Sequence, residues 1–65
     1  MHNQRYSSVE IGFIRDYILV KGHITYIIAE KLHSDYVKVT GTWRASGAIY
    51  HAAKRYEQGK YDHLL

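Results

Sequence analysis

Arg44-Ala45-Ser46-Gly47-Ala48-Ile49-Tyr50-His51-Ala52-Ala53-Lys54-Arg55 is the stretch on which the reading of this chain turns. Wound as a helix, it places Ala45, Ala48, Ile49, Ala52 and Ala53, with Tyr56 following, on a small-residue stripe that can pack closely against other helices. The opposite face carries Gly47, Tyr50, His51 and Lys54 at i, i+3, i+4 and i+7, with Ser46 and Arg55 beside them and Arg44 near the start. A row of hydrogen-bonding and cationic side chains is what base edges and phosphates in a major groove require. The same row also describes the solvated face of any amphipathic helix, and this stretch alone leaves both readings open.

Working outward, the chain's 65 residues make one domain, so small that folding must rest on a compact core, helped or not by a partner. The sequence has no cysteine, which excludes a disulfide framework and a thiolate metal site and leads us to expect a reducing, cytoplasmic setting. The apolar runs Tyr17 to Val20 and Ile24 to Ala29 fall well short of a membrane span, and the first ten residues lack the apolar region of a signal peptide, so no membrane is expected. Nine Lys and Arg against six Asp and Glu give a formal charge of +3, a surplus that permits nucleic-acid binding without demanding it. Its distribution says more than its size. From Tyr36 to Lys60 the chain has Lys38, Arg44, Lys54, Arg55 and Lys60 against Glu57 alone, so positive charge gathers on and around the third helix.

The periodicity predicts an all-α, three-helix domain over residues 6–59, with a loose polar arm at 1–5 and a tail at 60–65. Ser7 or Ser8 caps the first helix, because a short hydroxyl side chain accepts a hydrogen bond from an otherwise unpaired amide, and Glu10 sits favourably in the first turn. Ile11, Ile14, Tyr17 and Ile18, with Phe13 alongside, give an apolar face to about Val20, where Lys21-Gly22 ends the helix. A second helix from Thr25 to Ser34 turns Ile28, Ala29 and Leu32 inward. Between Ser34 and Trp43 the β-branched Val37, Val39, Thr40 and Thr42, interrupted by Gly41, suggest a short extended piece or ordered loop before helix three, although the length of the connection from Leu32 to Arg44 also admits an extended helix two. Trp43 is expected as a core plug or lid at the start of a third helix running to Gln58, with base stacking as the alternative, and Gly59 as the stop of that helix. Leu64 and Leu65 are expected to dock on the core or on a neighbour. The predicted core is Phe13, Ile14, Tyr17, Ile28, Leu32, Ile49 and Ala52.

Tyr6-Ser7-Ser8-Val9-Glu10, Ile28-Ala29-Glu30-Lys31-Leu32 and Arg44-Ala45-Ser46-Gly47-Ala48-Ile49 together resemble the Myb/SANT-like, homeodomain-like branch of the helix-turn-helix superfamily, over about Tyr6 to Tyr56. The resemblance implies a trihelical helix-turn-helix domain whose third helix lies in the major groove of double-stranded DNA, with Ser46, Gly47, Tyr50, His51 and Lys54 as reading residues and Arg44 at the phosphate backbone. The family's spaced tryptophans are mostly missing. Tyr6 stands for the first, Thr25 falls near the second, and Ala53 occupies the third. The match is therefore to a fold type, and a small phage or bacterial transcription regulator fits better than a eukaryotic Myb protein.

Lys54 and Arg55 are the candidate phosphate contacts on helix three, Lys38 adds to the same positive field, and Arg5 in the arm is a candidate for a minor groove. His51 can donate or accept at a base or a phosphate. No metal site and no cofactor are expected, since His2, His23, His33 and His63 are scattered and form no H-x-x-x-H pair. Nor is an enzyme expected, because there is no nucleophile beside a base, no glycine-rich phosphate loop and no paired carboxylates. One reading helix makes a modest interface, so a homodimer on DNA is expected, through Tyr61 to Leu65 or Val37 to Trp43. The competing reading is a protein-interaction module or inhibitor that covers a partner protein, with seven tyrosines and Trp43 as anchors.

Overall fold

The computed structural model describes residues 5–64, which form three α-helices and a terminal 3-10 turn: α1 Ser8–Lys21, α2 Tyr26–Thr40, α3 Ser46–Glu57, and Asp62–Leu64. Among the described residues there is no strand. The start of α1 is a reciprocal cap. Ser7 Oγ accepts from the Glu10 N–H at 3.2 Å, and the Ser7 N–H donates back to Glu10 Oε1 at 2.9 Å, which satisfies two amides that a helix start leaves unpaired. Gly22 ends α1 with φ +96°, its N–H donating to the Ile18 carbonyl.

Helix α2 differs from its sequence prediction in length. Thr25 caps it as expected, its hydroxyl accepting from the Ile28 N–H, but the helix continues through Val37 and Val39 to Thr40 in place of an extended piece after Ser34. Tyr36 is the reason. It follows Ala29 and Leu32 on the inward face, is fully buried, meets the Phe13 ring edge-on at 5.3 Å and donates its hydroxyl to Glu10. The helix-propensity penalty of β-branched residues is a few tenths of a kcal/mol each, whereas burying an aromatic side chain is worth about 2–3 kcal/mol. Burial wins. Thr40 Oγ1 donates to the Tyr36 carbonyl at 2.7 Å, and Gly41, at φ +73°, closes the helix in the left-handed conformation open to a residue without Cβ.

Helix α3 begins at Ser46, three residues after Trp43, with Ala45 as an N-cap that has no side-chain bond to give. Its small-residue stripe faces inward except at Ala45, the exposed N-cap that precedes the first turn: Ile49, Ala52 and Ala53 are buried, and Ala48 and Tyr56 are half-buried. The helix ends at Glu57, and Gly59 turns the chain away with φ +80°. Tyr61 and Leu64 then pack back on the core, while Leu65 lies outside the described residues.

The core comprises Tyr6, Ile11, Ile14, Ile24, Ala29, Leu32, Tyr36, Ile49, Ala52 and Ala53. Of the predicted core, Ile14, Leu32, Ile49 and Ala52 are buried, whereas Phe13, Tyr17 and Ile28 are partly buried at its margin. Trp43 is not a core plug. It is 67% exposed in the loop before α3, touching the edge of His33 at 5.7 Å, because Tyr36 and Tyr6 already supply the aromatic bulk of the interior.

Candidate nucleic-acid interface

The outer face of α3 is assembled by the burial of its inner one. With Ile49, Ala52 and Ala53 in the core, His51 and Lys54 fall on the exposed side, and Gly47 and Tyr50 lie half-buried between the two, Tyr50 packed against the margin of the core. Tyr50 is the centre of this surface. Its ring meets Tyr26 at 5.8 Å and His51 at 5.3 Å, and Lys54 Nζ stands 5.3 Å above it and 3.4 Å from its hydroxyl. A cation over an aromatic face is attracted to the ring quadrupole, so Lys54 is oriented without being neutralised.

Tyr26 is a member of this surface that sequence reasoning did not single out. It comes from the first turn of α2, half of it exposed, and its ring covers Gly47: a Cβ built on Gly47 would stand 3.6 Å from Tyr26 Cε2. Its signal in the sequence was an aromatic residue immediately after the Thr25 cap, beside the inward set of α2 and not within it. Ile27 follows it, also exposed. At the far end the surface turns acidic, where the His23 Nδ1 and Glu57 Oε2 pair at 2.8 Å beside a small cleft lined by Tyr26, Tyr50 and Lys54.

The arginines are placed differently from the sequence expectation. Arg44 was expected at a phosphate, but its side chain is only 18% exposed. It bonds Glu10 Oε2 through Nε at 2.7 Å, Glu10 Oε1 through Nη2 at 3.1 Å and the Arg5 carbonyl at 2.7 Å. It also stacks 4.1 Å from the centre of the Tyr6 ring. Arg44 is therefore part of the fold. It ties α1 and the entry of the chain to the loop that leads into α3. Arg55 is half-buried, its Nε donating to the Tyr61 hydroxyl at 2.9 Å, which fixes it to the tail. Ser46 is half-buried at the first turn of α3, Lys38 is exposed in the last turn of α2, and Arg5 is exposed at the edge of the described chain.

Glu10 holds this arrangement electrostatically. Burial by itself would raise its pKa, but two Arg44 bonds, the Ser7 N–H and the Tyr36 hydroxyl all favour the charged form and hold it at about 2. Burial first, and then the bond and charge of Glu10, push Tyr36 well above the ordinary tyrosine range against the opposing charge of Arg44, and Glu10 raises Arg44 further. Both partners are thus charged across the physiological range. His33 supports the same loop from α2: its Nε2 lies 2.7 Å from the Arg44 carbonyl, an oxygen that can only accept, so that nitrogen carries a hydrogen.

A second surface lies elsewhere. Val9, Gly12, Phe13, Asp16, Tyr17 and Val20 of α1, with Lys21 and with Val39 from α2, line an open apolar groove of about 470 Å³ to which no residue of α3 contributes. Among the described residues no group of three His, Asp or Glu could hold a metal ion, and no helix is long and apolar enough to cross a membrane.

The fold and this surface define a small three-helix all-α domain with an aromatic and cationic outer face on its last long helix. Comparison with family models, with characterised proteins and with solved structures gives no match.

Proposed function

We propose that this chain is a sequence-specific DNA-binding protein, a small transcription regulator of helix-turn-helix type that lays α3 in the major groove. The observation that carries the reading is the α3 row itself: His51 and Lys54 are exposed beside the half-exposed Tyr50, whose ring rests on the margin of the core, on a helix whose other side is locked to α1 and α2. A rigid support matters because base contacts are short and directional. Lys54 and Lys38, both exposed, supply the phosphate contacts and Arg5, also exposed, a minor-groove contact, whereas Arg44 orients the loop before α3 and Arg55 the tail. A phage or bacterial source and a cytoplasmic location accompany this reading. So does a homodimer on two half-sites: Tyr61 and Leu64 are packed on their own core, which leaves the Val37 to Trp43 segment, with Val39 and Trp43 exposed, as the contact.

The test is a mobility-shift titration of the full chain against duplex DNA at low and moderate salt. Binding that falls steeply as salt rises supports the reading, since each phosphate contact releases condensed counterions. Absence of binding at low salt overturns it. The second reading is a protein-interaction module, favoured by the 67% exposure of Trp43, an aromatic side chain of the kind that anchors protein interfaces. Such an interface would show little dependence on salt.

A further inference from the structure

Discrimination between bases in the major groove rests mostly on two-pronged pairs: Arg or Lys on guanine, and Asn or Gln on adenine. Helix α3, SGAIYHAAKRYE from Ser46 to Glu57, contains neither Asn nor Gln, and its two cations are confined to Lys54 and Arg55 toward its end. Both are engaged. Arg55 is bonded to Tyr61, and Lys54 leans on the Tyr50 ring. Arg44, just before the helix, is held by Glu10. The usual polar code is therefore missing from the turns that would lie deepest in the groove.

What occupies those turns is a row of rings. Tyr26 covers Gly47, and Tyr50 meets Tyr26 at 63° and His51 at 61°, so that three rings follow one another along the outer side of the helix. The thymine 5-methyl is the one apolar group that a base pair projects into the major groove. The half-exposed ring of Tyr50 offers that methyl an apolar carbon surface against which to lose its water. We propose that this surface selects its sites by thymine methyl groups, with Tyr50 as the principal contact and Tyr26 as the wall that holds it. The proposal rests on the DNA reading given above and adds the class of base it recognises. Ser46 and His51 supply only single hydrogen bonds on either side, which position the methyl and do not replace it.

Replacing thymine by uracil removes the methyl and leaves the pairing edge and the O4 acceptor unchanged. The experiment selects a preferred duplex from a random-sequence pool with the full chain, then remakes that duplex with deoxyuridine for thymidine. Burial of one methyl predicts about a fourfold loss of affinity per contacted thymine, and about 15-fold for two. Tyr50→Phe should keep the discrimination because the ring remains, whereas Tyr50→Ala should bind both duplexes alike. Equal binding of the two duplexes by the parent chain, or a selected site made of G·C pairs, overturns the methyl proposal while leaving DNA binding intact. Failure of the parent to bind any duplex at low salt overturns the DNA reading and the methyl proposal together.

Discussion

Glu10 and Arg44 are 34 residues apart in sequence and 2.7 Å apart in space, and the pair joins the first turn of α1 to the loop that launches α3. The carboxylate is 2% exposed and has all its partners: Arg44 twice, Tyr36 and the Ser7 cap. A buried pair of this kind is weak evidence of net stability compared with an apolar replacement, but removing one partner leaves a charge without compensation.

Glu10→Gln should therefore destabilise the domain by about 2–4 kcal/mol, and for so small a chain this lowers Tm by about 10–25 °C. The pH dependence follows from the same contacts. Glu10 titrates at about 2 in the folded protein against 4.5 ordinarily, so its contribution is fully present above the ordinary value and is lost as pH falls toward 2. The full contribution is about 3 kcal/mol. Chemical denaturation from pH 6 down to pH 2 should show this loss in the parent and a flatter profile in Glu10→Gln; parallel profiles would mean that other carboxylates govern the acid limb.

Ile49 is fully buried between the helices. Ile49→Asp would place an unpaired carboxylate there at a cost of several kcal/mol, comparable to the whole stability of about 3–10 kcal/mol expected for a domain of this length. Far-UV circular dichroism should show an unfolded chain at room temperature. A variant that melts like the parent would mean that α3 presents a different face to the core.

Much of the fold was legible because α1 and α3 repeat their apolar residues at a single helical period: Ile11 and Ile14 on one, Ile49, Ala52 and Ala53 on the other, are the buried residues that the period selects. The second half of α2 was legible only as the alternative that the long connection after Leu32 left open. Val37, Val39 and Thr40 argue locally for extended chain, and what overrides them is the Tyr36 bond to Glu10, a partner 26 residues earlier. Arg44 was misplaced for the same reason, since a cation beside a basic helix reads as a phosphate contact until the carboxylate that holds it is seen. Glu10 itself read as a favourable charge in a first turn, and nothing local shows that it is buried. On the outer surface, the α3 row was evident from spacing alone, whereas Tyr26 joins it only through tertiary packing on Gly47.

Trp43 supplies a test of the α2–α3 loop. With two thirds of its surface exposed and the edge of His33 beside it, Trp43→Ala should shift stability by no more than about 0.5 kcal/mol. Its fluorescence should be readily quenched by added iodide, and binding of a partner over this loop should protect it. A large loss of Tm in the alanine variant would return the tryptophan to the core.

The outer face of α3 is tested by separating position from reading. Lys54 is exposed and carries a charge, so Lys54→Ala should weaken binding to all duplexes alike and lower the salt slope by about one. Tyr50→Ala and His51→Ala should instead cost about 1–3 kcal/mol, chiefly on the preferred site, because they remove contacts to bases. Arg44→Ala provides the contrast. Its guanidinium is bonded to Glu10 and to the Arg5 carbonyl, so the variant should lose stability by about 2–4 kcal/mol and yet, held below its own Tm, retain the salt slope of the parent. The melting temperature of Lys54→Ala and His51→Ala should stay near that of the parent, since both side chains are exposed. Titrations of the four variants at two salt concentrations decide the matter: a slope lowered by Arg44→Ala and not by Lys54→Ala would exchange the roles assigned to them, and binding unchanged in all four would move the functional surface away from α3 altogether.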